Sequence, residues 1–233
     1  MKMRSSIRIS FIFALALFCL AKADEIIPLV GKSAPQFTAD AVVDDEIKKV
    51  SLSDYEGKNK ILVFYPADFS FICPTELFAF QEKSEEFNKR NAVILGISVD
   101  QVYTHQKWLE IPRNQGGVQG ISYPLISDVK KEISRAYGTL NEEHGNAFRG
   151  IFVIDKNNIV QAVIIYNESI GRDITEVLRV LDAMIFTQEH GQVCPANWAK
   201  GQEGITATQD GLKEYLNKDK NEENQKEETH EHA

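Results

Sequence analysis

Two apolar runs on either side of a helical pattern constrain the fold of this chain most strongly. Residues 61–65 and 92–99 are compact apolar runs of strand length, which is typical of strands buried inside a sheet. Between them, residues 74–90 repeat apolar side chains at roughly helical spacing with charges opposite, which predicts an amphipathic helix. This order indicates an α/β fold, because each element must bury its apolar face against another.

The second half of the chain continues the alternation of strands and helices. We predict elements at residues 102–110 (helix), 124–126 (strand), 129–137 (helix, closed by Gly138), 148–154 and 159–166 (strands) and 173–190 (helix). The turn signal Asp155-Lys156-Asn157-Asn158 joins the last two strands into a β-hairpin. The predicted fold is therefore α/β, with a mixed central sheet flanked by helices in the layout of a thioredoxin-like core and a C-terminal extension.

The N-terminus has the pattern of an export signal. A basic start precedes the uncharged apolar run 11–20, and Ala21-Lys22-Ala23 fits the small-x-small cleavage pattern. Ten residues are too few to span a bilayer, which takes about 20. We therefore predict a signal peptide over residues 1–23 and export through the secretory pathway to a periplasm, a secretory lumen, the outside or an organelle, with an uncleaved anchor as the alternative.

The rest of the chain divides into a domain and two C-terminal segments. We predict a domain over residues 24–190, an extension over 191–216 with a short helix near 209–216, and a disordered acidic tail over 217–233. The formal net charge of −8 makes the chain a poor candidate for binding nucleic acid.

Two of the three cysteines share a local setting. Cys73 and Cys194 each precede a proline, and a Cys-Pro pair can begin a helix, where a thiol loses its proton most readily. Their separation excludes a local C-x-x-C pair, which leaves a structural bridge, a metal pair, or an attacking thiol with a distant partner. Cys19 lies in the apolar run and is expected to leave with the signal peptide.

The neighbours of Cys73 favour an attacking thiol. Ser70 places a hydroxyl three residues before the cysteine, and Pro66 would stiffen the intervening loop and shield the sulfur from water. Arg149 offers a cation at the mouth of an apolar strand. A thiolate, a hydroxyl and a fixed cation suit attack on a peroxide, because the leaving oxygen develops negative charge.

Residues 64–76, Phe-Tyr-Pro-Ala-Asp-Phe-Ser-Phe-Ile-Cys-Pro-Thr-Glu, resemble the active-site signature of typical 2-Cys peroxiredoxins, the thioredoxin-dependent peroxidase and alkyl hydroperoxide reductase group. The resemblance extends over residues 27–217. Further matching segments lie at residues 100–108, 123–125, 148–150, 171–172 and 190–198.

The resemblance implies a role for each matching residue. It identifies Cys73 as the peroxidatic cysteine and Cys194 as the resolving cysteine, which the family takes from the partner subunit to form an interchain disulfide. It identifies Pro66 as the shielding proline, Arg149 as the arginine that binds thiolate and peroxide, and Ser70 as the replacement for the more common threonine.

The same resemblance implies supporting residues behind the arginine, substrates and partners. Glu76 and Arg172 match a pair that orients the arginine. The implied activity is reduction of hydrogen peroxide and organic hydroperoxides in antioxidant defence, with a thioredoxin-like dithiol reductant and neither a metal nor an organic cofactor. The implied assembly is a homodimer, in a ring of dimers such as a decamer, without nucleic acid or stable membrane insertion.

Two departures from the family pattern bear on regulation. The loop Gly116-Gly117-Val118-Gln119 stands where easily over-oxidised members carry Gly-Gly-Leu-Gly, and Tyr215-Leu216 stands where they carry Tyr-Phe. We expect a weaker clamp on the active site and more resistance to inactivation. Two other functions remain as alternatives: a protein disulfide oxidoreductase, and a chaperone in which Cys73 and Cys194 form a structural bridge. His105 and Trp108 are expected to serve packing or an interface rather than catalysis.

Overall fold

The computed structural model describes residues 28–218. Its strands are β1 (Thr38–Val43), β2 (Glu46–Ser51), β3 (Asn59–Phe64), β4 (Ala92–Ser98), β5 (Leu125–Ser127), β6 (Leu140–Asn141), β7 (Asn146–Ala147), β8 (Arg149–Ile154) and β9 (Val160–Tyr166). Its helices are α1 (Cys73–Glu82), α2 (Ser84–Asn88), α3 (Val102–Glu110), α4 (Glu132–Ala136) and α5 (Ile174–His190). A C-terminal helix follows over residues 209–218.

A seven-stranded mixed sheet forms the centre of the fold. Its strand order is β2-β1-β5-β4-β3-β8-β9. The inner strands β3, β4 and β5 run parallel, while β1, β8 and β9 pair antiparallel with their neighbours. The predicted mixed sheet and the predicted hairpin of β8 and β9 are therefore confirmed.

The central strand β3 divides the core into two layers. Ile61 and Val63 point to the layer that contains α1 and α5, whereas Leu62 and Phe64 point to the layer that contains α4. All six residues of β3 are buried, including the apolar run that begins at Ile61, as predicted, and also the polar Asn59 and Lys60 before it. The carboxyl end of β3 thus lies between helices on both faces, and the loop that follows it leads directly into α1.

Two predicted helices differ from the observed ones. The helix predicted over residues 74–90 is interrupted at Lys83, whose φ of −102° and ψ of 5° separate α1 from α2. The helix predicted over residues 129–137 begins only at Glu132, because Lys131 adopts a positive φ of 60°. The carboxylate of Asp128 then accepts from two backbone N–H groups of α4, so the preceding residues form a turn that leads into the helix.

The hairpin of β1 and β2 lies in a region for which the sequence predicted no strand. Asp44 and Asp45 both have positive φ, at 51° and 62°, as a two-residue type I′ turn requires. Aspartate tolerates this left-handed backbone better than most residues, so the Asp-Asp pair is a weak local signal of the hairpin.

The C-terminal part of the described chain folds back on α5. Asp173 caps the helix by accepting from the backbone N–H of Thr175, and Gly191 ends it with a φ of 65°, both as predicted. The extension returns through an antiparallel bridge between Val193 and Ile205. The predicted signal peptide and nearly all of the predicted acidic tail lie outside the described residues. Within residues 28–218, no helix is long and apolar enough to cross a membrane.

Candidate active site

Cys73 is the first residue of α1, at the point where the loop from β3 enters the helix. Pro74 follows it in the first turn, where its missing N–H leaves no hydrogen bond unmade. The cysteine is fully buried and is a free thiol. The N-terminus of α1 presents backbone N–H groups and the positive end of the helix dipole to this region, which stabilises an anion there.

The guanidinium of Arg149 lies against the sulfur. Its Nη1 donates to Cys73 Sγ at 3.4 Å and to Glu76 Oε2 at 2.7 Å. Its Nε donates to the backbone carbonyl of Glu168 at 2.7 Å, so the side chain is fixed from two sides. Arg149 begins β8, next to β3 in the sheet, and only 3% of its surface is exposed.

Glu76 and Arg172 complete a buried charged network behind Arg149. Arg172 donates to Glu76 Oε1 from its backbone N at 3.0 Å and from Nε at 2.9 Å, and to Oε2 from Nη2 at 2.8 Å. Its Nη1 donates to the carbonyl of Phe64 at 2.7 Å, which joins the network to the end of β3. Two guanidinium groups facing one carboxylate leave a net charge of about +1, and a thiolate at Cys73 would neutralise it.

Asp68 anchors the loop between β3 and α1, a role that the sequence analysis missed. Its carboxylate accepts from the Tyr65 hydroxyl at 2.9 Å and lies 2.7 Å from Nδ1 of the fully buried His105. Its backbone N–H donates to Asp100 Oδ2 at 2.9 Å. Burial raises the pKa of Asp68, while the hydrogen bond and charge of His105 act in the opposite direction. In the sequence, only the polar character of Asp68 and His105 hints at this contact.

The same loop contains the two remaining predicted residues of the Cys73 pocket. Pro66 is buried where the chain leaves β3. The half-buried Ser70 donates its hydroxyl hydrogen to the carbonyl of Ala67 at 2.8 Å, which leaves its oxygen lone pairs to accept. Between them Phe69 has a φ of 54°, a left-handed conformation that is strained for an aromatic residue. The loop is therefore hydrogen-bonded at both ends and strained in its middle.

Cys194 lies apart from this network, on the extension that follows α5. Its thiol faces the carbonyl of Ala183 on α5 at a sulfur–oxygen distance of 3.8 Å. It is partly buried and is also a free thiol. The two described cysteines, Cys73 and Cys194, thus form no disulfide within the chain, although the sequence allowed a structural bridge. The structure brings together Cys73, Arg149, Glu76 and Arg172 but not Cys194.

The fold and the site define a class of protein in which a thioredoxin-like sheet presents a cysteine at a helix N-terminus beside a buried arginine. The chain matches the AhpC/TSA family over residues 30–163 and the C-terminal domain of 1-Cys peroxiredoxin over residues 183–218. The chain therefore belongs to the AhpC/TSA family, as the sequence resemblance predicted.

Individual relatives agree with this assignment. The chain is 46% identical to peroxiredoxin-2 of Bos taurus over 200 residues, covering 86% of this chain and 98% of that protein. It is 46% identical to the thioredoxin peroxidase of Echinococcus granulosus over 188 residues, covering 81% and 97%. The crystal structure of reduced 2-Cys peroxiredoxin from Plasmodium vivax is similar with a TM-score of 0.80 and 40% identity, covering 82% of this chain and 100% of that one.

Proposed function

We propose that this protein is a thiol-dependent peroxidase that reduces hydrogen peroxide and organic hydroperoxides at Cys73. The observation that carries the proposal is the contact of Arg149 Nη1 with Cys73 Sγ at the N-terminus of α1. The thiolate is the nucleophile in such chemistry, and the guanidinium of Arg149 lies within hydrogen-bond distance of this sulfur. The names of the relatives, peroxiredoxin and thioredoxin peroxidase, support the same activity.

The first step transfers one oxygen atom to Cys73. The thiolate attacks the terminal oxygen of the peroxide, so the sulfur–oxygen bond forms as the oxygen–oxygen bond breaks. The sulfur becomes sulfenic acid, and the departing oxide takes a proton to leave as water or an alcohol. Arg149 would stabilise the negative charge that develops on this departing oxygen. Because Cys73 is fully buried, the shielding loop that carries Pro66 must open slightly to admit the peroxide.

The second step forms a disulfide with Cys194 of a partner subunit. A disulfide requires Cα atoms within about 7 Å, and Cys73 is held inside folded helix α1. The first turn of α1 must therefore unwind before Cys194 can attack. A thioredoxin-like dithiol then reduces the disulfide by thiol–disulfide exchange.

Single cysteine substitutions test this scheme. Peroxide consumption with a dithiol reductant should vanish in Cys73→Ser, while Cys194→Ser should complete one oxidation without forming a disulfide. A Cys73→Ser variant that consumes peroxide as fast as the wild type would refute the central assignment. On a non-reducing gel, the wild type should give a disulfide-linked dimer after oxidation, and each substitution should abolish it.

We also propose that the chain assembles as a homodimer within a ring of dimers such as a decamer. Strand β9 forms one edge of the seven-stranded sheet, and its Ile165 is 46% exposed. The N-terminal segment covers only the start of this edge, where Val160 pairs with Gly31 and Lys32. The rest of the strand, with an exposed apolar side chain, is suited to pairing with a second copy. Sedimentation of the reduced protein should give the mass of a ring, whereas a monomer at micromolar concentration would contradict the proposal.

Resistance to over-oxidation is a further part of the proposed function. The loop residue Val118 is fully buried, and the carbonyl of Gly116 accepts from Trp108 Nε1 at 2.9 Å. In the C-terminal helix, however, Leu216 is 50% exposed. A clamp with one exposed member should hold α1 weakly and let Cys194 reach the sulfenic acid first. Mass spectrometry should show little sulfinic acid at peroxide levels that inactivate sensitive members, and extensive sulfinic acid would contradict this expectation.

Export through the secretory pathway is proposed from the N-terminal pattern of residues 1–23. Sequencing the mature N-terminus by mass spectrometry, together with cell fractionation, tests it. A mature protein that retains residues 1–23 and sits in the cytosol would refute the proposal.

A further inference from the structure

Arg179 connects helix α5 to the extension that carries Cys194. Its Nη1 donates to the backbone carbonyl of Trp198 at 3.1 Å. One helical turn later, the carbonyl of Ala183 faces the sulfur of Cys194 at 3.8 Å. Residues four apart lie on one face of a helix, so Cys194 and Trp198 pack along the same strip of α5.

The extension packs closely against this strip. Trp198 is 2% exposed, and its ring lies 4.9 Å from that of Phe186 on α5. Its Nε1 donates to the carbonyl of Gln202 at 3.0 Å. The arginine contact therefore fixes a residue only four positions beyond Cys194, within a segment that is already anchored.

The guanidinium of Arg179 is itself held in place. Glu176 accepts from its Nε at 2.6 Å and from its Nη2 at 2.8 Å, which leaves Nη1 directed at the extension. Arg179 is the charged group that acts on Cys194, while Asp173 at the start of α5 acts on Glu176. Asp182, further along the helix, is paired with both Arg90 and Lys200. Arg179 is thus the cation of this strip that can act on the Cys194 sulfur.

We propose that Arg179 is a positioning residue for the resolving step, which holds the Cys194 loop on α5 and supplies positive charge on the helix face where that sulfur packs. The inference rests on the proposed role of Cys194. In that step the Cys194 thiolate bonds to the sulfur of the Cys73 sulfenic acid, the sulfur–oxygen bond breaks, and the oxygen leaves as hydroxide that takes a proton to become water. A positive charge beside Cys194 increases the fraction of thiolate that can attack.

The electrostatics of the thiol agree with this role. Burial raises the pKa of Cys194, and the charge of Arg179 acts in the opposite direction. Removal of Arg179 should therefore raise that pKa further. Removal of Glu176, which neutralises part of the arginine's charge, should lower it.

The test measures disulfide formation after one equivalent of hydrogen peroxide, by quenching at set times and by mass spectrometry, across a range of pH. Arg179→Gln should slow disulfide formation about threefold to tenfold at neutral pH, the change expected for loss of one hydrogen bond, and should move the pH midpoint of the rate upward. Glu176→Gln should move the midpoint downward. Opposite shifts distinguish a charge effect from a structural one, because each substitution removes a contact of the same arginine.

Two controls separate this inference from the proposed function. The rate of sulfenic acid formation at Cys73 should be the same in both variants. Cys194→Ser should form no disulfide, with or without a substitution at Arg179. Arg179→Lys keeps the positive charge and should therefore keep the pH midpoint of disulfide formation. If Arg179→Gln folds poorly, the comparison of Arg179→Lys with Glu176→Gln takes its place. Unchanged rate and midpoint in Arg179→Gln, or midpoints that move in the same direction in the two variants, would overturn the role of Arg179 even if Cys194 is the resolving cysteine.

Discussion

Replacing Glu76 with glutamine is the sharpest test of the buried network. The carboxylate accepts four hydrogen bonds, one from Arg149 and three from Arg172, and its side chain is 2% exposed. Removing one partner of a buried ion pair costs about 3–5 kcal/mol, because the remaining charges stay buried without compensation. Glutamine keeps one acceptor oxygen, so we expect about 3 kcal/mol, the lower end of that range.

This loss should be measurable as unfolding and as activity. For a chain of this size, about 3 kcal/mol lowers the melting temperature by roughly 6–12 °C. The reaction with peroxide should slow about a hundredfold, since Arg149 would lose the group that orients it and misplacement of about 1 Å has that effect. Thermal unfolding of the reduced protein at one fixed concentration, together with rapid-mixing kinetics of Cys73 oxidation, checks both.

Glu86 provides a matched control. It is also a glutamate paired with an arginine, but its side chain is 41% exposed, so Glu86→Gln should leave the free energy of unfolding nearly unchanged. If Glu76→Gln has the same melting temperature as the Glu86→Gln control and reacts with peroxide at the wild-type rate, the network neither stabilises the fold nor positions Arg149.

Two further predictions concern a glycine in a crowded loop and a buried lysine. Gly117→Ala should destabilise the protein by about 1–3 kcal/mol, because its Cβ would lie 2.0 Å from the carbonyl oxygen of Ile111. Gly171→Ala meets only an ordinary contact at 3.6 Å and should be nearly neutral in urea unfolding; equal effects would show that the steric argument is wrong. Lys60→Met should stabilise the protein at neutral pH, because Lys60 is 1% exposed and its ammonium has one long hydrogen bond, 3.4 Å, to the carbonyl of Asp155. Burial lowers the pKa of Lys60, so the wild type gains stability as pH rises toward 10.5 and the advantage of methionine should shrink; a constant difference across that range would contradict the assignment.

The sequence predicted the elements whose signals are local. The apolar run of β3 and the capped helix α5 were both placed within two residues, because burial on both faces and capping chemistry leave clear patterns. The break at Lys83 left no such pattern, since neither glycine nor proline occurs there. A backbone turn set by tertiary packing cannot be predicted from the propensity of one lysine.

In the active site, too, local features could be predicted from the sequence, whereas contacts between distant residues could not. The position of Cys73 before a proline indicated a helix start from local sequence alone. The meeting of Glu76 and Arg172, which lie 96 residues apart, depends on the sheet topology and followed only from family resemblance. The contact of His105 with Asp68 was missed for the same reason, because a pair formed between a loop and a distant helix has no spacing to recognise.

The left-handed backbone of Phe69 affects how often the active site opens. A strained non-glycine residue of this kind costs about 1–3 kcal/mol in the folded loop. That cost disappears when the loop and the first turn of α1 unwind, so it is subtracted from the free energy of opening. Even 1–2 kcal/mol raises the population of the opened form about 5- to 30-fold. Phe69, four positions before Cys73, thus stores strain in the closed loop. This strain lowers the free energy of the unwinding that each catalytic cycle requires.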